Sequence, residues 1–574
     1  MPSPDSAGLL AGLARLRSYE RTWLRYDLLA GVTVAAYLVP QVMAYAEVAG
    51  LPPVVGLWAI IGPLLVYAAL GSSRQLSVGP ESTTALMTAA AVGSIAAGDP
   101  ERYAALAAAL ALVVGVVCIL GWLGRLGLLA DLLSKPVLVG YMAGIAALMV
   151  GSQLGKLTGL DVEADSFIGQ LEFVATHLDE VKLQPLGLAA VLVVFLLVSS
   201  SRWPRSPAPL IGMLASAGVV AVLELEKHGI ALVGDIPAGL PTPSLPDVSL
   251  SDLTSMLLPA VGVAIVAYSD NALTARSFAT RNGYDVDSNQ ELLALGAANL
   301  SAGVMQGFPV SSSGSRTVIG DSLGSKSQLY SLVALATVVV TLLFLRPVLA
   351  SFPVAALGAV VVYAAIRLVD VPEFRRIARF RRSEAVLALS TTVAVLVLDV
   401  LYGVLVAIGL SILDLLRRVA RPHDGVLGYV PGVAGMHDIE DYPEAEPVQG
   451  LVVYRYDSPL FFANAEDFKR RALASVDAAD TPVEWFVLNA EANVHVDITA
   501  IDILDELREE LTGRGIVFAM ARVKQELRDE LESSGILDRV GEERIFMTLP
   551  TAVQAFVQWF MDRHGVEPRG GPLY

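Results

Sequence analysis

Fourteen apolar runs, most of them near the length of a membrane span, fill the first 421 residues of this 574-residue chain. A helix needs roughly 20 mostly apolar residues to cross a bilayer. The runs begin near Leu28, Pro53, Gly79, Tyr103, Pro136, Gln184, Ala208, Leu253, Leu292, Ser312, Gln328, Pro353, Glu384 and Tyr402. In lipid every backbone group must be satisfied within the protein, which leaves packed helices as the fold for such a pattern. The expectation is a mainly α membrane protein of 14 spans, some short or broken. Charge separates a second part. Residues 1–421 carry a net charge of −2 and residues 422–574 a net charge of −15. An acidic soluble tail therefore follows the membrane part, and that acidity argues against a nucleic-acid partner, which needs a basic face. The single cysteine, Cys118, lies in an apolar run and leaves no disulfide framework or thiolate cluster within one chain. No metal or cofactor is expected.

An even number of spans puts both ends on one side, and basic loops mark the cytoplasm. With the N-terminus inside, the inner segments take Arg15, Arg17, Arg21, Arg25, Arg74, Arg125, Lys135, Arg202, Arg205, Arg276, Arg281 and Lys326. They also take the run Arg367, Arg375, Arg376, Arg379, Arg381 and Arg382, then Arg417, Arg418 and Arg421. That makes 21 cations, against five outside: Arg102, Lys156, Lys182, Lys227 and Arg346. Both termini are thus expected in the cytoplasm. The first 25 residues lack the long apolar core and cleavage site of a signal peptide. Residues 158–183 and 227–251 read as the main outer loops, with an amphipathic surface segment around Phe167–Leu178.

Two spans are interrupted, one in each half. Gly71–Thr84 holds a short alternating piece at Gln75–Val78, then Gly79-Pro80 opening a helix. Gly307–Thr317 repeats the plan, an extended Pro-bearing piece feeding the hydroxyl-rich start Ser311-Ser312-Ser313-Gly314-Ser315-Arg316. Matching interruptions in two halves are the best sequence pointer to a transport site. Facing helix N-termini offer unpaired N–H groups and partial positive charge, which together make an anion site. The expected donors are the N–H groups of Ser313–Ser315 and Gly79–Ser82. Arg316 adds a full charge where an unpaired cation would cost several kcal/mol. The bland alternatives are ordinary loops and an arginine that snorkels to the interface.

Two acids complete the candidate site. Asp270 and Thr274 stand four apart in an apolar run, on one helix face, where they could share a cation or a proton. Glu81 sits at the start of the first broken helix, where the dipole favours its ionised form. A structural ion pair with Arg316 is the alternative.

These residues resemble the SulP family of anion permeases, closest to its mycobacterial-type members. The likeness is carried by Pro40-Gln41-Val42-Met43-Ala44-Tyr45-Ala46, by Leu51-Pro52-Pro53-Val54-Val55-Gly56-Leu57 and by the two interrupted segments. The resemblance implies seven plus seven inverted-repeat helices, a core domain moving against a gate domain, and a homodimer. It implies an anion held between the two broken helices, with Gln41, Tyr45, Ser315 and Arg316 matching the family's contacts; the helix starts read above add Gly79, Glu81, Ser82, Ser313 and Gly314. By the same likeness Asp270 and Thr274 match a sodium pair in a cyanobacterial bicarbonate member, whereas other members with an acid there use protons. Glu81 departs from the animal exchangers, where an apolar residue often stands, and so favours proton coupling.

In the tail, strands at 450–456, 483–489 and 516–521 alternate with helices at 464–476 and 499–513, an α/β pattern. It resembles the STAS domain that ends SulP permeases. Asp497-Ile498-Thr499 matches the place of a phosphorylation motif, so Thr499 is a possible regulatory residue; capping of a helix by Thr499 is the competing reading. The expected organisation is a cytoplasmic segment 1–26, a transport domain 27–421, a linker 422–447 and a STAS domain 448–574, with a regulatory partner for the last. No nucleophile–base set points to an enzyme. The expected activity is secondary active transport of sulfate or a similar oxyanion across the inner (plasma) membrane, proton-coupled and elevator-like. A sodium-coupled bicarbonate or dicarboxylate symporter and an anion channel or sensor stay open.

Overall fold

The computed structural model describes residues 12–13, 19–96, 98–127, 134–162, 166–203, 206–237 and 239–571. Most of the expected 1–26 segment, and Arg15, Arg17 and Arg205 of the charge count, lie outside them. The chain divides into two compact units, Met1–Ser411 and Ile412–Tyr574.

The first unit is helical apart from two short strands, Val78–Gly79 (β1) and Ser311–Ser312 (β2). In order its helices are Leu24–Val48 (α1), Pro53–Leu70 (α2), Ser82–Ala96 (α3), Pro100–Leu123 (α4), Lys135–Thr158 (α5), Phe167–Thr176 (α6), Leu183–Arg202 (α7) and Ala208–Val222 (α8). Then follow Leu250–Asn282 (α9), Ser288–Val304 (α10), Gly314–Ser322 (α11), Leu329–Phe344 (α12), Arg346–Ala350 (α13), Val354–Leu368 (α14), Val371–Phe380 (α15) and Arg382–Ala420 (α16). Local chemistry sets their ends. Asp99 caps α4 by accepting from Glu101 and Arg102 N–H, and Ser249 and Asp252 form a capping box on α9. Gly159 and Gly283 close α5 and α9 in the left-handed conformation. Seven helical stretches among the described residues, one of them α14 and α15 taken together, are long and apolar enough to cross a membrane. Exposed side chains such as Val191, Val222 and Leu258 leave an apolar outer surface on the bundle, as lipid contact demands.

Twelve of the expected runs fall on separate helices, and the last two share α16. A straight helix of 39 residues would exceed 50 Å, longer than the bilayer core. It is not straight. A Cβ on Gly403 would fall 2.6 Å from the Cα of Val395, eight residues earlier, where a straight helix separates them by about 12 Å. Val137 packs with both Leu387 and Ala407. The run therefore doubles back into two arms.

The second unit is an α/β sandwich. Its sheet holds Asp424–Tyr429 (β3), Met436–Asp438 (β4), Leu451–Tyr456 (β5), Trp485–Asn489 (β6), Val517–Ala521 (β7) and Ile545–Phe546 (β8), in the order β4-β3-β5-β6-β7-β8. Strands β5 to β8 are parallel, and β3 and β4 add antiparallel edges. Alternation along the strands supplies both faces. Val452, Tyr454, Phe486 and Leu488 pack under helices Ala465–Asp477 (α17) and Ile498–Gly513 (α18), while Val453, Trp485 and Val487 meet Leu549–His564 (α21). Between α18 and α21 lie the short helices Gln525–Ser533 (α19) and Ile536–Val540 (α20). Residues 422–447, expected as a linker, carry β3 and β4 and belong to the sheet. Their Gly and acid content hid a short alternating edge, buried at Gly425, Leu427 and Gly428.

Candidate anion-binding site

The two interrupted segments meet. Val78–Gly79 (β1) pairs antiparallel with Ser311–Ser312 (β2), in the register Val78 to Ser312 and Gly79 to Ser311. Each strand runs straight into its half-helix, β1 into α3 and β2 into α11, so the two positive helix ends converge on the strand pair. The first helical bond of α3 is Ala85 N–H to Glu81 O, and that of α11 is Thr317 N–H to Ser313 O. The backbone N–H groups of Ser82–Thr84 and Gly314–Arg316 therefore have no partner inside their helices.

Arg316 lies in the first turn of α11 and is 0% exposed. Its Nε donates to Ser77 Oγ at 3.2 Å, and its Nη1 donates to Gln41 Oε1 at 3.2 Å and to Pro80 O at 3.0 Å. Its Nη2 has no partner. All three acceptors are neutral, and among the described residues no carboxylate forms an ion pair with it. The expected alternative, an Arg316–Glu81 pair, is not formed. Gly79 makes the approach possible, because a Cβ there would stand 3.3 Å from Nη2 and 2.5 Å from Ile60 Cδ1.

Gln41 follows Pro40 inside α1 and reaches both sides of the site. Its Nε2 donates to Tyr45 Oη at 3.0 Å and to Ser315 Oγ at 3.4 Å, and Ser313 and Ser315 hydroxyls lie 3.2 Å apart. Ser82 Oγ donates to Glu81 Oε1 at 3.2 Å, and Glu81 Oε2 is buried without a partner. Ser312 Oγ donates to Asp270 Oδ2 at 2.9 Å, which joins α9 to the second strand. Thr274 is half-buried one turn further on and makes no hydrogen bond to Asp270 among the described residues.

Three details differ from expectation. The Ser313 N–H does not face the site, because it donates to Ser77 O at 2.8 Å as part of the strand pairing. Pro80, which has no N–H, contributes its carbonyl instead, and α3 begins only at Ser82. In the second unit Asp497, not Thr499, caps α18, since its carboxylate accepts from Ala500 N–H at 2.8 Å. An ionised acceptor suits the helix start better than a hydroxyl. Thr499 is exposed in the first turn.

Other residues position the site and were missed. Asn299 of α10 bonds Val310 like a neighbouring strand, accepting from its N–H at 2.9 Å and donating to its carbonyl at 3.0 Å. Glu291, fully buried, accepts from Ser72 N–H and Oγ, Ser73 N–H, Tyr67 Oη and Asn271 Nδ2. Gln328 donates to the carbonyls of Ser73 and Leu76. A polar residue inside an apolar run signals such a role. Asn299 carried that signal, whereas Glu291 stood one residue before the run that starts at Leu292.

Half-helices that meet at a buried arginine with no ion pair among the described residues are the arrangement expected of an anion site inside a polytopic membrane protein. Residues 24–391 match the sulfate permease family and residues 442–552 match the STAS domain. The chain belongs to the sulfate permease (SulP) family. A probable sulfate transporter of Mycobacterium tuberculosis is 61% identical over 557 residues, 97% of this chain and 99% of that protein. The chloroplastic sulfate transporter 4.1 of Arabidopsis thaliana is 33% identical over 566 residues, 95% of this chain and 82% of that protein. The solved structure of the murine Solute Carrier 26 family member A9 anion transporter, in its inward-facing state, has the same fold. Its TM-score is 0.87 at 25% identity, covering 97% of this chain and 95% of that one.

Proposed function

We propose that this protein is a secondary active transporter of sulfate, or a similar inorganic oxyanion, driven by co-transported protons. One observation carries the reading: a fully buried Arg316 surrounded by neutral acceptors, with Nη2 unpartnered between two helix N-termini. A cation removed from water costs several kcal/mol unless it is paired, and a bound oxyanion supplies the pair through charge-assisted hydrogen bonds. The names of the relatives from Mycobacterium tuberculosis and Arabidopsis thaliana support sulfate as that anion.

Gln41, Tyr45, Gly79, Glu81, Ser82, Ser313, Gly314 and Ser315 complete the proposed pocket, Ser313 through its hydroxyl only. A dianion entering a negative interior moves uphill by about 2.3 kcal/mol per charge per 100 mV. Glu81 adjoins one half-helix and Asp270 bonds the strand of the other, so a proton on either relieves repulsion against the anion. Thr274 serves only in the sodium alternative. Glycine packing supports an elevator-like movement of two rigid bodies. Gly115 and Gly303 lock α4 to α10, and Gly140 and Gly144 lock α5 to α16. The charge asymmetry of the loops supports an inner-membrane protein with both termini in the cytoplasm. The STAS unit then acts as a regulatory or dimerising module, with Thr499 on its surface.

The test is uptake of labelled sulfate, bicarbonate and succinate into proteoliposomes under imposed pH and sodium gradients. The proposal expects sulfate uptake that rises as external pH falls, without sodium. Uptake that demands sodium and ignores pH moves the coupling to Asp270 and Thr274. Uptake of bicarbonate or succinate but not sulfate removes the substrate assignment.

A further inference from the structure

The arginine run between α14 and α16 has no part in the anion site. Six arginines, Arg367, Arg375, Arg376, Arg379, Arg381 and Arg382, stand within 16 residues that hold only two acids, Asp370 and Glu373. The helix at its centre, α15, is held in place locally. Asp370 caps it by accepting from Glu373 N–H at 2.9 Å, and Pro372 lies in its first turn. Its sequence is two-sided: Val371, Phe374, Ile377 and Ala378 share one side, and Arg375, Arg376 and Arg379 the other. Ile377 is buried and Phe374 half-buried against the protein, whereas the three arginines are exposed. Glu373 takes Lys135 at 2.8 Å and Arg376 at 3.0 Å. Arg375, Arg379 and Arg382 have no acidic partner among the described residues.

Exposed apolar side chains rim this basic stripe. Phe380 is 74% exposed and Val371 45%. Arg381 lies over the Phe380 ring at 5.8 Å. The helix has 10 residues, too few to cross a bilayer, and is joined at both ends to apolar helices. It therefore lies where those helices leave the membrane. Water does not suit Phe380 and Val371, and hydrocarbon does not suit unpaired arginines. The boundary between headgroups and acyl chains suits both.

We propose that α15 docks on anionic phospholipid headgroups: Arg375, Arg376 and Arg379 hold lipid phosphates while Val371 and Phe380 enter the acyl boundary. Charge complementarity selects anionic over neutral lipid. Free phosphate would satisfy the arginines but leave both apolar side chains in water. The proposal does not depend on which anion the protein carries.

The test is native mass spectrometry of the full chain in neutral detergent with added phosphatidylglycerol, phosphatidylcholine or inorganic phosphate. The expected result is retention of phosphatidylglycerol over phosphatidylcholine. Each arginine near an anionic surface contributes roughly fivefold, so R375Q/R376Q/R379Q should weaken retention about a hundredfold. R375K/R376K/R379K keeps the charge and should stay within a few-fold of the native protein. Undiminished retention by a glutamine variant that elutes and melts like the native protein overturns the proposal. So does equal retention of phosphatidylcholine, or displacement of the lipid by millimolar phosphate, which marks a free-anion site. Should the glutamine variant fail to fold, salt decides: native retention unchanged between about 0.05 and 0.5 M ammonium acetate contradicts a charge-based surface.

Discussion

Replacing Arg316 by alanine separates a structural arginine from a ligand-binding one. The side chain donates three hydrogen bonds, to Ser77 Oγ, Gln41 Oε1 and Pro80 O. Losing them costs about 1 kcal/mol each. Against this, the variant no longer buries a cation that lacks a directly paired carboxylate, a cost of several kcal/mol. The two effects oppose, and the melting temperature without ligand should stay within a few degrees of native. Binding behaves differently. One charge-assisted bond from Nη2 contributes about 1.5–3 kcal/mol, and the remaining Coulomb attraction adds to it. A loss of about 2–4 kcal/mol follows, roughly a 30- to 1,000-fold rise in the sulfate Kd. Arg316→Lys should fall between, since one ammonium keeps the charge but not the fork of donors. The assay is calorimetric sulfate titration of the purified full chain, with thermal melting in parallel. A folded Arg316→Ala protein that binds sulfate with native affinity refutes the reasoning, and so does one that collapses without ligand while Arg316→Lys binds normally.

Four further outcomes are expected. Gly79→Ala places a Cβ 2.5 Å from Ile60 Cδ1 and 3.3 Å from Arg316 Nη2; it should cost about 1–3 kcal/mol in stability and weaken sulfate binding, read by melting with and without sulfate. Asn299→Ala strips both partners from the Val310 backbone and should destabilise by about 2–4 kcal/mol, measured in detergent melts against the native chain. Glu81→Gln or Asp270→Asn should flatten the pH dependence of sulfate uptake in proteoliposomes, whereas Thr274→Ala should leave it in place. In the STAS unit, the hydrogen bond that His495 donates to Glu530 raises the His495 pKa above its ordinary 6.5. Burial pushes Glu530 up, but the hydrogen bonds from His495 and the Val496 amide, together with the His495 charge, outweigh it and hold that carboxyl below its ordinary 4.5. A raised base contributes stability that is lost as pH rises through its folded value, and a depressed acid loses its share as pH falls. The pair is therefore strongest between those values. The Val496 amide, which donates to Glu530 Oε2 at 2.8 Å, should be better protected from exchange at pH 6 than at pH 8 after correction for intrinsic rates, and His495→Ala should remove the difference.

What the sequence made legible follows from period and composition. Long apolar runs located the helices. The paired interruptions located the candidate site, because Gly, Pro and Ser in the middle of a span break a helix that lipid contact would otherwise require. Gln41, Asp270 and the Ser312 and Arg316 of the second interruption come together from three separate stretches. The antiparallel match of Val78–Gly79 with Ser311–Ser312 was not legible, since two residues of strand leave no periodic trace. Nor was the role of the Pro80 carbonyl, because backbone acceptors carry no side-chain signal. The turn inside α16 was legible only as two runs. The edge strands at 424–438 read as linker in the sequence because a strand one face deep needs only a few apolar residues.

The proposed transport site requires an oxyanion to complete the coordination of Arg316 between the two half-helices. The most direct measurement is a structure of the full chain with selenate in place of sulfate, locating selenium by its anomalous scattering. The expected result is one peak within hydrogen-bonding distance of Arg316 Nη2 and of the N–H groups at the starts of α3 and α11. A selenium peak elsewhere in the membrane unit, with Nη2 still without a partner, would contradict it.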